Sequence, residues 1–385
     1  MTATGFAAPT RPETALAFSP GEYERRLRLV RGAMAERGID TLVVDQLDHV
    51  VWLFGYLPTA ARYQSVILPI DEEPHAFVRE LDLPAFLEQS WVRSYETYSD
   101  DEDEFPRSIK AVLARTKGKV GFEFDSNIFT AQRYAAAMNE LAGAEIVDAS
   151  GLLWELRVIK SEEEINALRR AAEIADLTLQ AAIPAVQVGG FERDPAVAAY
   201  TAALLAGADN GRVATFGYGA TVESMHGRLG TRQLESGQLY FIETVPQVKG
   251  YSSRIVRPVS LGRASSEQRR VAERLVAIQD AQIAAMEVGA VAGDVDAICR
   301  EALLREGLKQ RFPQVTGYTV GLHAVPRTAD HTRIFVPGQE WTLQENMVFH
   351  VIVYTQGLPF SETVQITSDG PVRLTTTERR LFENE

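Results

Sequence analysis

The period of the hydrophobic pattern changes several times in the first third of the chain. From residue 21, apolar side chains recur at helical spacing, at Tyr23, Leu27, Val30 and Met34. Short apolar runs typical of strands follow at 41–44, 50–53 and 65–69, then a second helical stretch at 111–114 and a further strand at 119–123. This alternation predicts a small α/β domain that ends near residue 150.

A strong helix start opens the second part of the chain. Ser161 is followed three residues later by Glu164, the spacing of a capping box, and apolar residues recur at helical spacing from Ile165. Two more amphipathic helices are predicted at 265–288 and 293–306, and strands at 239–246, 251–260, 347–354 and 360–368. Helices interleaved with antiparallel hairpins predict an α+β domain.

These patterns predict three segments. The first is a loose arm rich in Pro, Ala and Thr at residues 1–20, the second is an N-terminal domain at 21–157, and the third is a C-terminal domain at 158–385. A chain of 385 residues is too long for one ordinary core and suits two domains.

One predicted hairpin brings two opposite charges together. A strand that contains Glu243 leads into a turn at residues 248–250, and the returning strand carries Arg254. A hairpin symmetric about this turn, with residue 247 opposite residue 250, places Glu243 directly opposite Arg254. Directly paired residues project from one face of a sheet, so we expect the two side chains to touch.

Composition and charge exclude several classes of partner. The chain is 45% hydrophobic and 24% charged, with a formal net charge of −13. Nucleic acids and anionic membranes require basic surface, so neither is expected as a partner. The single cysteine, Cys299, lies in a helical pattern that favours a buried apolar role. No apolar run approaches the roughly 18–20 residues of a membrane span, and no secretory signal is visible, so a cytoplasmic location is expected.

Several phrases, in order, resemble the creatinase/aminopeptidase, or pita-bread, family. The segment 154–164 resembles its interdomain junction, 316–321 its glycine-rich phrase around a metal-binding His, and 346–352 the strand that follows. The resemblance covers nearly the whole chain. It implies an α+β protein with a small N-terminal α/β creatinase-like domain followed by a C-terminal pita-bread domain, and a homodimer.

The resemblance also implies what this chain lacks. Metallopeptidases of the family hold two divalent metals with Asp, Asp, His, Glu and Glu. The corresponding positions here are Glu243, Arg254, Tyr318, Ile352 and Glu362. An arginine stays protonated and would place a positive charge inside a site that needs bridging carboxylates. We therefore expect neither a metal nor another cofactor.

The metal-free branch of the family, which includes ectoine hydrolase and creatinase, is the closer resemblance. His226 stands eleven residues before Gly237, the spacing of the general acid/base His of creatinase. The phrase at 344–350 is similar to one in ectoine hydrolase, which also has a Glu at the position of Glu243. The resemblance implies Glu243 as the catalytic carboxylate and His226 as the proton carrier.

The remaining candidates would bind substrate. Arg254 would pair with Glu243 and hold an anionic group, while Glu362 would bind an ammonium group or pair with Arg254. Arg333, with Arg327 as its rival, would grip the substrate as an arginine does in metal-free relatives. Tyr318 would donate a hydrogen bond or fill space. The other candidates are His350, beside the site, and Arg62, in a segment that caps the partner subunit's pocket in creatinase. His323 and His331, in the loop after Gly321, are expected to be exposed.

Three functions remain open. The first is a metal-independent hydrolase of a non-peptide C–N bond in a small zwitterionic amino-acid derivative, resembling ectoine, an N-acyl diamino acid or creatine. The second is a metal-dependent aminopeptidase or dipeptidase of the Xaa-Pro type, which needs ligands that this chain lacks. The third is a non-catalytic binding protein on the same fold, against which the retained Glu243 and His226 argue.

Overall fold

The computed structural model describes residues 14–59, 61–116, 118–141, 143–209, 215–218, 229–324 and 329–384. The chain divides into two units, Met1–Leu156 and Arg157–Glu385. None of the described helices is both long enough and apolar enough to cross a bilayer.

The first unit is an α/β structure with a six-stranded sheet. Its strands are β1 (Thr41–Val44), β2 (Ser65–Pro69), β3 (His75–Arg79), β4 (Ser94–Tyr98), β5 (Lys119–Phe122) and β6 (Glu145–Asp148). Its helices are α1 (Pro20–Arg37), α2 (Leu47–Phe54), α3 (Leu83–Gln89), α4 (Glu104–Leu113), α5 (Ala131–Glu140) and α6 (Leu152–Leu156). The strand order is β4-β3-β2-β1-β5-β6, with β1 antiparallel to β2 and parallel to β5.

The helix predicted from residue 21 is confirmed as α1, which begins after the capping residue Ser19. The strand predicted at 50–53 is wrong, because these residues lie in α2. Every residue of α2 except Val51 is buried. A helix buried on nearly all sides shows no polar period, so its apolar run resembles that of a buried strand.

The second unit is α+β and contains four longer helices and a large, mostly antiparallel sheet. The helices are α7 (Glu162–Ala182), α8 (Arg193–Leu205), α9 (Ser266–Ala284) and α10 (Ala292–Arg305). The strands are β7 (Thr215–Tyr218), β8 (Leu239–Thr244), β9 (Gln247–Val248), β10 (Tyr251–Ser252), β11 (Ile255–Leu261), β12 (Gly317–Thr319), β13 (Ile334–Phe335), β14 (Val348–Thr355), β15 (Leu358–Thr367), β16 (Gly370–Arg373) and β17 (Phe382–Asn384). The main sheet has the order β13-β12-β14-β15-β11-β8-β7, with β16 beside β15 and β17 beside β11.

The predicted capping box at the start of α7 is confirmed. The Glu164 N–H donates to Ser161 Oγ at 3.2 Å, and the Ser161 N–H donates to Glu164 Oε2 at 2.7 Å. These bonds satisfy two of the N–H groups that have no partner within the helix.

The hairpin that carries Glu243 has a different register from the predicted one. Its turn has two residues, Lys249 and Gly250, both with positive φ, 54° and 80°. Val248 therefore lies opposite Tyr251, and Glu243 lies opposite Val256 rather than Arg254. The error is two residues, and side chains alternate between faces with a period of two, so the predicted face of each residue is unchanged.

The two faces of the main sheet differ in what covers them. Val353 of β14 and Phe360 of β15 pack with Leu275 and Ile278 of α9. We call this side the helix face. The neighbouring residues of β14, such as Ile352, project from the opposite side, which we call the cavity face.

Candidate functional site

A row of four side chains crosses the sheet on the cavity face. Glu243 lies opposite Val256, Val256 lies opposite Ser361, and Ser361 lies opposite Ile352. Directly paired residues project from one face, so all four side chains share it. The row joins two pairs of strands, β8 with β11 and β15 with β14, and the two pairs are far apart in the sequence.

A cavity of about 280 Å³ lies on this face. Its walls combine charged, aromatic and aliphatic side chains, from Glu243, Arg254, Gln314, Val315, Tyr318, Ala329, His331, His350, Ile352 and Tyr354. A concave site with a few converging polar groups in mostly apolar walls is the usual form of a small-molecule site.

The predicted contact between Glu243 and Arg254 is confirmed. Arg254 Nε donates to Glu243 Oε1 at 3.0 Å, and Nη2 donates to the same oxygen. Glu243 is 3% exposed and Arg254 is 7% exposed. Arg254 stands two residues before Val256, so its side chain reaches Glu243 along the diagonal of the strand pair, a separation that long side chains span. The buried carboxylate and guanidinium compensate each other.

Tyr318 extends this ion pair. Arg254 Nη1 donates to the Tyr318 hydroxyl at 2.5 Å, and the guanidinium carbon lies 5.6 Å from the centre of the ring. Burial raises the pKa of Tyr318, against the lowering effect of Arg254. The phenol therefore stays protonated, accepts from Arg254 and retains its own O–H to donate.

Two histidines flank the ring of Tyr318. The His331 ring lies 4.1 Å from it between centroids, and the His350 ring lies 5.0 Å from it. Burial lowers the pKa of His350 well below 6.5, and the nearby Arg254 and His331 add to the effect. His331 is exposed, as predicted, but it also lines the cavity, which the sequence did not indicate. His323 is buried rather than exposed, and its Nδ1 lies 3.1 Å from Ser252 Oγ.

Glu362 requires a correction. Its neighbour Ser361 lies opposite Ile352, so Ser361 projects from the cavity face and Glu362 from the helix face. There Arg257 Nη2 donates to Glu362 Oε1 at 2.6 Å, and both side chains are fully buried. Glu362 is thus not among the residues that line the cavity, and its predicted partner Arg254 is replaced by Arg257. Ser361, rather than Glu362, therefore shares the cavity face with Ile352.

Comparison with known families decides the identity of the fold. The profile of the Creatinase/Prolidase N-terminal domain matches residues 26–159, and that of metallopeptidase family M24 matches residues 166–374. The chain belongs to metallopeptidase family M24. The predicted family and the predicted fold, a creatinase-like N-terminal domain followed by a pita-bread domain, are confirmed. The chain is a hydrolase of this family.

Its relatives include proteins named for two different activities. An ectoine hydrolase from Halomonas elongata is 28% identical and is matched over 96% of this chain and 99% of that protein. A Xaa-Pro dipeptidase from Pyrococcus furiosus is also 28% identical, over 93% of this chain and 99% of that protein. The crystal structure of a prolidase from Thermococcus sibiricus has a TM-score of 0.82 at 24% identity, over 94% of this chain and 99% of that one, a likeness of fold.

The family name implies divalent metals, but the residues on the cavity face do not fit them. Among the described residues that line the cavity, Glu243 is the one carboxylate, and the guanidinium of Arg254 is bonded to it. Of the other predicted ligand positions, Tyr318 and Ile352 supply no anionic oxygen, and Glu362 projects from the helix face, where it is paired with Arg257. In the part of the chain that the structure describes, no three His, Cys, Asp or Glu side chains are arranged to hold a metal.

Two predicted arginines make other contacts. The half-buried Arg62, in the first unit, donates from Nη2 to Glu104 at 2.5 Å and from Nη1 to the Asp100 carbonyl at 3.0 Å. Arg333 is half-buried beside Trp341, with its guanidinium carbon 6.0 Å from the ring, and it is not among the residues that line the cavity. His226 and Arg327 lie outside the described residues.

Proposed function

We propose that this chain is a metal-independent hydrolase of a non-peptide C–N bond in a small zwitterionic amino-acid derivative. The observation that carries the proposal is the bonded pair of Glu243 and Arg254 on the cavity wall. A guanidinium stands where metal-dependent relatives need a ligand, and it neutralises the carboxylate that a metal would bind.

Glu243 is the reacting carboxylate in this proposal. It lines the cavity, and two nitrogens of Arg254 donate to it and hold it in place. A carboxylate held in this way can serve as a base or as a nucleophile. It acts on the carbon of the scissile bond either directly or through a water molecule that it deprotonates. His226 carries the proton to the leaving nitrogen in this scheme, as the sequence resemblance implies.

Arg254 and Tyr318 supply the electrostatic part of the mechanism. The O–H of Tyr318 and the guanidinium beside it are fixed before substrate arrives, because each is bonded to the other. Donors held in place in a buried site stabilise negative charge that develops on the substrate without reorganising. We assign these two groups to the substrate's carboxylate or to the developing oxyanion.

The similarity to a named ectoine hydrolase supports this substrate class. The Xaa-Pro dipeptidases support a second candidate, a metal-dependent dipeptidase, with the same identity. The donor set described above favours the first candidate, since the second needs the metal ligands that Arg254, Tyr318 and Ile352 replace. We also propose a homodimer, which light scattering on the purified protein tests.

The decisive experiment is a substrate screen with and without chelator. Ectoine, N-acetyl-diaminobutyrate, creatine and glycyl-proline are offered to the purified protein, and its metal content is measured by elemental analysis. We expect turnover of a non-peptide substrate that EDTA leaves unchanged. Stoichiometric Mn, Zn or Co, with chelator-sensitive cleavage of glycyl-proline, overturns the proposal.

A pair of variants tests the role of Glu243. Glu243→Gln is expected to abolish turnover while the protein remains folded by circular dichroism. Glu192→Gln is the matched control, because Glu192 is also buried and also bonded to an arginine, Arg232, at 2.9 Å, outside the cavity. Retained activity in Glu243→Gln contradicts the assignment.

A further inference from the structure

His331 lies at the edge of the cavity in a backbone conformation that residues other than glycine seldom adopt. Its φ is 60°, and its ring packs on that of Tyr318 with 4.1 Å between the centroids and 31° between the planes. The residue is exposed and also lines the cavity, so it stands where the cavity meets solvent. A left-handed residue of this kind persists where its surroundings hold it.

The neighbouring Asp330 is buried and holds this turn. Its side chain is 4% exposed. Its Oδ1 accepts the Thr332 N–H at 2.9 Å, the Thr332 hydroxyl, and the Thr319 hydroxyl at 3.2 Å. Thr319 directly follows Tyr318 on β12. These bonds close the turn around His331 and tie it to the strand whose tyrosine the imidazole covers.

A buried lysine lies beside Asp330. Lys160 is 3% exposed. A Cβ built on Gly321 would lie 3.6 Å from Asp330 Oδ2 and 3.7 Å from Lys160 Nζ, so both groups pack against this glycine. Burial alone would raise the pKa of Asp330, but the charges of Lys160 and Arg157, together with hydrogen bonds, outweigh it and lower that pKa. Asp330 is therefore an ionised carboxylate, which is a strong acceptor for the bonds that close the turn.

The polar groups of the cavity wall extend from Glu243 to His331. Arg254 is bonded to both Glu243 and Tyr318. The ring of Tyr318 in turn packs on that of His331. Glu243 is the reacting carboxylate of the proposed function, so Arg254 and the Tyr318 O–H adjoin the reacting carbon, where negative charge develops. His331 follows them along the wall, and an imidazole offers an N–H donor in either protonation state.

We infer that Asp330 is a positioning residue that holds His331 over the cavity, where the imidazole donates to the carboxylate of the zwitterionic substrate. This inference rests on the proposed function and deepens it. It assigns Arg254 and Tyr318 to the developing oxyanion and His331 to the carboxylate, so each negative charge has its own donors. The carboxylate is charged throughout the reaction, so this bond contributes to substrate affinity rather than to kcat.

Steady-state kinetics with ectoine, N-acetyl-diaminobutyrate and creatine test the two residues. His331→Gly accepts the positive φ and removes the ring. Asp330→Asn keeps the shape of the side chain and removes its charge. Each is expected to raise KM for the zwitterion that is turned over at least about tenfold, the effect of losing one hydrogen bond to a charged group, and to leave kcat nearly unchanged. The double variant is expected to equal His331→Gly, because Asp330 acts through His331.

Analogues without a carboxylate test which part of the substrate His331 contacts. They are methyltetrahydropyrimidine for ectoine, N-acetyl-diaminopropane for N-acetyl-diaminobutyrate, and dimethylguanidine for creatine. Each is measured as a competitive inhibitor, and its inhibition constant is expected to be the same for wild type and His331→Gly. An inhibition constant that rises together with KM means that His331 contacts another group, and it overturns the inference.

Asp176→Asn is the matched control. Asp176 is also a buried aspartate that accepts bonds from the N–H and hydroxyl groups of threonines, Thr376 and Thr377, at 2.6–2.8 Å. It is not among the described residues that line the cavity. Its substitution is expected to lower the free energy of unfolding and to leave KM unchanged. Thr332→Val removes one hydroxyl donor to Asp330, and it is expected to raise KM in the same direction if Asp330→Asn does not fold.

The outcomes separate this inference from the proposed function. Metal-independent turnover of a zwitterion with the same KM in wild type and in His331→Gly, or in wild type and in Asp330→Asn, overturns the inference and leaves the proposed function standing. A fall in kcat at constant KM, or a further rise in KM in the double variant, also overturns the inference. So does turnover of none of the three zwitterions, and chelator-sensitive cleavage of glycyl-proline overturns both.

Discussion

The hydroxyl of Thr363 forms hydrogen bonds with both the N–H and the C=O of Arg254. It accepts the Arg254 N–H at 2.9 Å and lies at 2.9 Å from the Arg254 carbonyl oxygen, to which it donates. Ser253 and Arg254 fall in the break between β10 and β11, where the strand pairing is interrupted. A side chain of β15 therefore replaces backbone partners there and fixes the position from which the guanidinium reaches Glu243.

Thr363→Val is expected to disturb this position without changing the shape of the side chain. It removes the hydroxyl and leaves a buried N–H and C=O without that partner, a cost of about 1–3 kcal/mol in the free energy of unfolding. Urea unfolding and kcat/KM measure the two consequences. Thr363→Ser, which keeps the hydroxyl, is expected to retain most of both. Equal losses in the two variants contradict a role for the hydroxyl.

Arg254→Lys tests whether the planar geometry of the guanidinium matters in addition to its positive charge. The guanidinium reaches Glu243 through two nitrogens and Tyr318 through the third. An ammonium is a single point charge and does not reproduce this geometry. We expect a folded protein whose kcat/KM falls at least about tenfold.

The matched control is Arg270→Lys, an exposed arginine paired with Glu267 on α9. This substitution is expected to leave kcat/KM unchanged, because surface pairs contribute little. Wild-type activity in Arg254→Lys contradicts the proposed role of the guanidinium geometry and means that Arg254 contributes only its positive charge.

The two strand predictions on which the site depended had different outcomes for a physical reason. The contact between Glu243 and Arg254 was correct although the register was wrong, because an error of two residues keeps each side chain on its face. The prediction that Glu362 lies at the site was wrong, because an error of one residue along a strand moves a side chain to the opposite face of the sheet. Residues 358–366 of β15 are all buried, so no alternation of polar and apolar residues marks its two sides.

The local sequence pattern could not predict the place of His331 either, because that place depends on contacts between distant parts of the chain. His331 joins the cavity because its ring packs on Tyr318, in a segment where His331 itself has a positive φ of 60°. The family and the order of elements, in contrast, follow from motifs that each lie within a few residues, such as the capping box of Ser161 and Glu164.

Cys299 offers a probe of global stability. It is fully buried in α10, as predicted, and burial raises the pKa of its thiol to about 12. The thiolate is the reactive form, so the native protein is expected to resist a thiol reagent at pH 8. Labelling is expected to become rapid across the urea unfolding transition. Rapid stoichiometric labelling without urea contradicts this burial, and Cys299→Ser gives the background signal.

Asp45 is expected to make the stability of the protein depend on pH. It is buried in the first unit, and burial raises its pKa to about 7, with the Glu123 carboxylate raising the pKa further and the nearby Ser126 and Tyr63 lowering it. Unfolded, its pKa is near 3.8. The folded state thus binds the proton more tightly, so this contribution is complete below pH 3.8 and is lost as the pH rises to about 7.

Asp45→Asn removes the titration while keeping the shape of the side chain. The asparagine is neutral at every pH. The free energy of unfolding of the variant, relative to that of the wild type, is therefore expected to rise between pH 4 and 7. The gain is on the order of 4 kcal/mol, from about 1.4 kcal/mol per pH unit. Urea unfolding at pH 4 and pH 8 measures it. Asp71→Asn, at an exposed position, is expected to show no such trend. A difference between Asp45→Asn and wild type that stays constant across this range would mean that Asp45 is ionised in the folded protein throughout, and that Ser126, Tyr63 and nearby cations outweigh its burial.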